Sequence, residues 1–92
     1  MAQKRITARI TGRVQMVMFR DFAKRKARGL GLAGFVKNGA DGSVRVVAEG
    51  DEEVLKRFIE LLREGPLFAK VKNIMADWEE PTSEFASFEI IY

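Results

Sequence analysis

The spacing of apolar residues along this 92-residue chain changes period several times, and the order of those changes leaves few folds open. From Arg5 to Thr11 the period is two. Ile6, Ala8 and Ile10 fall on one side and Arg5, Thr7, Arg9 and Thr11 on the other, as in a half-buried strand. Gly12 is expected to interrupt that strand, and Arg13 to Met18 shows no clear period and reads as a loop. From Phe19 the spacing becomes helical: Phe19, Phe22, Ala23, Ala27 and Leu30 recur on one face, with Lys24, Arg25, Lys26 and Arg28 outward. Asp21 suits the positive end of that helix, and Gly29 or Gly31 ends it. Gly34 to Asn38 is a short strand, Asn38-Gly39-Ala40-Asp41-Gly42 has hairpin composition, and Val44, Val46 and Ala48 alternate on the return. Asp51 caps a second helix carrying Val54, Leu55, Phe58, Ile59 and Leu62, which Gly65-Pro66 stops. Ile74, Ala76 and Trp78 mark a fourth strand, and Phe88, Ile90 and Tyr92 a fifth.

The order β-α-β-β-α-β with one more strand is that of an α+β, ferredoxin-like βαββαβ sandwich. It places two helices on one face of a mostly antiparallel five-stranded sheet. Residues 1–92 are expected to form a single domain. The chain has no Cys, so a disulfide framework, a thiolate nucleophile and cysteine metal sites are excluded. It has no His, which removes the Ser-His triad, the imidazole base and most transition-metal sites. Sixteen Lys and Arg against 13 Asp and Glu give a net charge of +3, too mild for a dedicated nucleic-acid binder. No run approaches the roughly 18 apolar residues of a membrane span, and Met1 to Ile6 lacks the apolar core of a signal peptide. The expected location is the cytoplasm.

Chemistry is left to Arg, Lys, carboxylates, amides, hydroxyls and backbone dipoles, and one segment gathers several of these. Gly12 to Arg20 joins the first strand to the first helix. A loop running into a helix N-terminus presents unpaired N–H groups and partial positive charge, which suits an anion. Arg20 lies in the opening turn, where a cation gains nothing from the helix dipole but can grip phosphate oxygens through two parallel hydrogen bonds. On pattern alone, a solvated helix arginine explains Arg20 equally well. Val14, Val17, Met18 and Phe19 are expected to be partly core. The spacing from Val14 to Arg20 matches a Cys-x5-Arg phosphatase loop, but with Val at the first place that mechanism has no nucleophile.

Ile10-Thr11-Gly12-Arg13-Val14-Gln15-Met16-Val17-Met18-Phe19-Arg20 resembles the first motif of the acylphosphatase family, apolar-x-Gly-x-Val-Gln-Gly-Val-x-Phe-Arg. Gly34-Phe35-Val36-Lys37-Asn38, followed by Gly42, Val44 and Gly50, matches the second motif at every specified place. Gly65-Pro66 and Phe88 to Tyr92 also look like later segments of that family, so the resemblance spans essentially the whole chain. It implies hydrolysis of the carboxyl-phosphate bond of small acyl phosphates to carboxylate and inorganic phosphate, without metal or cofactor. Carried onto this sequence, Arg20 binds the phosphate and Asn38 holds the attacking water. The phosphate loop is Val14, Gln15, Met16, Val17, Met18, Phe19 and Arg20. The inventory agrees: an acyl phosphate has a good carboxylate leaving group, so positioning and electrostatics suffice without His or Cys. Two positions depart. Met16 stands where the family has Gly, at a cost of about 1–2 kcal/mol if the site needs φ > 0. Ala23 stands where relatives often carry a hydroxyl.

Other features have plainer readings. The run Lys24 to Arg28 is a solvated helix face. On local grounds Asn38 before Gly39 is a turn residue, and Asp41 before Gly42 a turn former. Trp78 and the seven Phe are expected to be mostly core. If the last strand runs beside the first, the α-carboxylate of Tyr92 is placed to pair with Arg20. Two alternatives to the enzyme are a catalytically weak regulatory or binding domain, with Met16 as its mark, and an RNA-binding ferredoxin-like module. The second needs outward aromatics on the open sheet face, but Lys37 and Asn38 follow Gly34-Phe35-Val36. The expected partners are an acyl phosphate and inorganic phosphate, not nucleic acid or membrane, with the protein a monomer.

Overall fold

In the computed structural model, which describes residues 2–92, the elements follow the expected order. They are β1 (Gln3–Arg13), α1 (Phe19–Gly29), β2 (Ala33–Asn38), β3 (Val44–Asp51), α2 (Glu52–Glu64), β4 (Lys70–Glu79) and β5 (Phe88–Ile91). The strands lie in the order β4-β1-β3-β2-β5. All neighbours are antiparallel except β2 and β5, which run parallel, so the sheet is mixed. Period-two alternation turns Ile6, Ala8 and Ile10 of β1 and Val44, Val46 and Ala48 of β3 toward the helices. There they bury with Phe19, Ala23 and Ala27 of α1 and Leu55, Phe58 and Leu62 of α2. Asp51 caps α2 as its sequence suggests, its carboxylate accepting from the Glu53 and Val54 amides at 3.0 and 3.4 Å. No helix among the described residues is long and apolar enough to cross a membrane.

Three expectations are corrected. Gly12 does not interrupt β1, which runs on to Arg13 over a bulge: Thr11 pairs with Asn73 and Gly12 with Val71, leaving Lys72 over. Gly12 has φ 124°, and a Cβ there would lie 2.1 Å from the Lys70 carbonyl oxygen, so the close approach of β4 requires glycine. The last strand lies beside β2, not β1, because β3 and β4 already occupy both edges of β1. Trp78 and Phe68 are not core, being 42% and 74% exposed. Trp78 sits near the end of edge strand β4, in an open cleft shared with Glu52 and Lys56 of α2, and Phe68 in the turn leading into that strand.

The face of the sheet away from the helices is partly covered by the segment between β4 and β5. Phe85 packs edge-on against Phe35 at 5.9 Å, and the Arg5 guanidinium lies 5.6 Å from the Phe85 ring centre. Glu49, buried on β3, anchors this crossing by accepting from the amides of Thr82 and Ser83 and from Arg5.

Candidate active site

The bulge and the end of β1 launch residues 14–18 as an irregular loop directly into α1. Val14 and Phe19, its two ends, are buried and fix it to the core. Between them Met16 and Met18 have φ 59° and 62°, left-handed conformations that are uncommon for side-chain-bearing residues. Alternating left- and right-handed residues turn successive N–H groups toward one side, forming a concavity suited to an anion. Met18 precedes α1 without a side-chain cap. Among the described residues, the first hydrogen bond of the helix is from the Phe22 amide to the Met18 carbonyl. The amides of Gln15 to Asp21 have no hydrogen-bond acceptor among the described residues.

The side chain of Gln15 serves another purpose. Its Nε2 donates to the carbonyls of Gly39 and Ser43, both at 2.8 Å, and so ties the loop to the β2–β3 hairpin. That role was not read from the sequence, because its acceptors are backbone groups 24 and 28 residues away. The hairpin is itself braced by Asp41, whose carboxylate accepts from the Ser43 hydroxyl and amide and from Arg9. Those donors, the Ser43 hydroxyl foremost, hold the Asp41 carboxyl well below the usual carboxylate range. Asp41 is thus the turn former its sequence suggests.

Asn38 is the last residue of β2, paired with Val44, and not a turn residue. Its Oδ1 is buried and has no hydrogen-bond partner among the described residues, a rare state for a buried polar atom. Arg20 projects from the first turn of α1, and its guanidinium lies over the Tyr92 ring, 5.2 Å from the centroid. The expected pairing with the Tyr92 carboxylate is not formed: β5 lies next to β2, and it is the aromatic face that meets the guanidinium. Asp21, the adjacent carboxylate, is engaged by Arg25 at 3.1 Å, and among the described residues Arg20 has no ion pair. Arg20, Val14, Met16, Met18, Ile90 and Tyr92 line an open cleft of about 420 Å³. Asn38 does not line it; it adjoins the loop from β2, through the Gln15 contact with the next residue.

The acylphosphatase family model matches residues 6–90. The chain belongs to the acylphosphatase family. The acylphosphatase of Salinibacter ruber is 47% identical over 88 residues, which make up 96% of this chain and 93% of that one. That of Dehalococcoides mccartyi strain CBDB1 is 46% identical over 86 residues, 92% of this chain and 94% of its own. The crystal structure of the Bacillus subtilis acylphosphatase superposes with a TM-score of 0.94 at 37% identity, covering 97% of this chain and 99% of the other. These matches bear out the ferredoxin-like fold and favour the enzyme over the regulatory and RNA-binding readings. This acylphosphatase is therefore an enzyme that hydrolyses acyl phosphates, releasing inorganic phosphate.

Proposed function

We propose that hydrolysis proceeds by direct attack of water on a phosphoryl group held by Arg20 and the loop amides, with Asn38 holding the water. The Arg20 guanidinium and the N–H groups of residues 14–20 meet the phosphoryl oxygens, where charge is held through the transition state. A water hydrogen donates to Asn38 Oδ1, leaving an oxygen lone pair directed at phosphorus. As the new P–O bond forms, the bond to the acyl oxygen breaks and its electron pair leaves with the carboxylate. Both water hydrogens stay with the phosphate product, which passes one to solvent as its ionisation requires. A carboxylate leaving group needs no general acid, and the residues invoked need no metal or cofactor to complete the step.

The observation that carries this reading is the buried Asn38 Oδ1, an acceptor left without a partner among the described residues. The free loop amides and the unpaired Arg20 support it. In this reading the protein acts in the cytoplasm as a monomeric single domain and engages neither nucleic acid nor membrane. Benzoyl phosphate hydrolysis by the wild type, Arg20→Ala and Asn38→Ala is the test. Asn38→Ala is expected to lower kcat about 100-fold or more with little change in KM, and Arg20→Ala to impair both. Either variant matching the wild type removes that residue from the mechanism.

A further inference from the structure

Met16 and Met18 combine two unfavourable choices. Each holds a left-handed backbone conformation, and they expose 97% and 72% of their surface. A strained residue that also leaves its apolar side chain in water gains nothing for the fold. Met16 further replaces the glycine that the family motif carries and that this φ favours. Both side chains line the cleft that holds Arg20, and Ile90 and Tyr92 line it too.

We propose that Met16 and Met18, with Ile90 and Tyr92 of the same cleft, form the binding wall for the acyl group, and that the enzyme selects acyl phosphates bearing aromatic or longer aliphatic acyl groups. The inference rests on the phosphoryl site proposed above. With the phosphoryl group against the loop amides and Arg20, the acyl carbon is directed out through the cleft. There it meets two flexible thioethers, Ile90 and the Tyr92 ring, a predominantly apolar lining. Unbranched methionine side chains adapt to apolar ligands of varied shape and make favourable contacts with aromatic rings. The sole cation of the wall is Arg20, already committed to phosphate, and Asp21 lines the same cleft. A second carboxylate on the acyl group would find a like charge instead of a partner, which disfavours acyl phosphates of dicarboxylic acids.

The ratio of kcat/KM for benzoyl phosphate to that for acetyl phosphate reads this wall directly. It is to be measured for the wild type, Met16→Gln, Met18→Gln and the double variant. Glutamine keeps the length and removes the apolar surface. The ratio is expected to fall a few-fold in each single variant and about tenfold in the double one, as for loss of an apolar contact. A ratio that stays within twofold of the wild type in the double variant overturns the proposal. Where turnover is too weak to measure, inhibition constants for phenylphosphonate and methylphosphonate supply the same ratio without chemistry, with the same two outcomes. Failure of the phosphoryl site is a separate result: Arg20→Ala would then hydrolyse both substrates normally, whatever the methionine variants do.

Discussion

Gln15 Nε2 lies 2.8 Å from the carbonyl oxygen of Gly39, the residue that follows Asn38. The bond, with its companion to Ser43, sets the anion loop against the strand end that carries the proposed water-holding amide. Gln15→Ala is expected to reduce stability by about 1 kcal/mol, since two carbonyls lose a donor, and to lower kcat more than it raises KM. Gln15→Glu is expected to be worse in both respects, because a carboxylate cannot donate to those carbonyls and repels phosphate. Urea unfolding and steady-state kinetics on the same preparations check both variants.

Met16→Gly tests the strain through its effect on stability. Relief of the left-handed conformation is worth about 1–2 kcal/mol, offset by about 0.4–1 kcal/mol of added unfolded-state freedom. A net gain of about 0.5–1 kcal/mol is expected, seen as a higher urea midpoint at unchanged m-value. A loss of stability would mean that the Met16 side chain makes packing contacts its exposure does not suggest.

Gly34 offers the reverse case. It has φ 147°, and an added Cβ would lie 1.9 Å from the Val47 carbonyl oxygen on the neighbouring strand. Gly34→Ala is expected to cost about 3 kcal/mol or more, or to prevent folding, because the atom in the way is backbone. Thermal unfolding followed by circular dichroism measures the loss.

Glu49 links stability to pH. Burial opposes its ionised form, but the amides of Thr82 and Ser83, with Arg5, outweigh that and hold its pKa below the ordinary glutamate value. A depressed folded-state pKa gives stability that is fully present above the unfolded value. It is lost as pH falls through the folded-state pKa. Glu49→Gln is therefore expected to be less stable at pH 7 by about 2 kcal/mol, with the gap to the wild type narrowing below roughly pH 4. Urea midpoints at pH 7 and pH 3 test it, and a gap that is the same at both would deny Glu49 this part in acid sensitivity.

The chain order of elements was legible because burial imposes its period locally. Ile6, Ala8 and Ile10 reveal a strand, and Phe19, Phe22, Ala23 and Ala27 a helix, whichever neighbours cover them. Arg20 and Asn38 were legible through the motifs around them. Asn38 followed by Gly39 looks locally like a turn, and its pairing with Val44 is what makes it a strand end.

Side-chain polarity and the fixed periods of the backbone set the strands, the helices and the residue types available for chemistry, all of them local properties. Long-range packing places β5 beside β2, puts Gly12 at a bulge and lets Gln15 reach the hairpin. It also decided that Tyr92 offers Arg20 a ring instead of a carboxylate. Each of these depends on backbone or side chains brought together from distant parts of the chain, and no local pattern carries that distance.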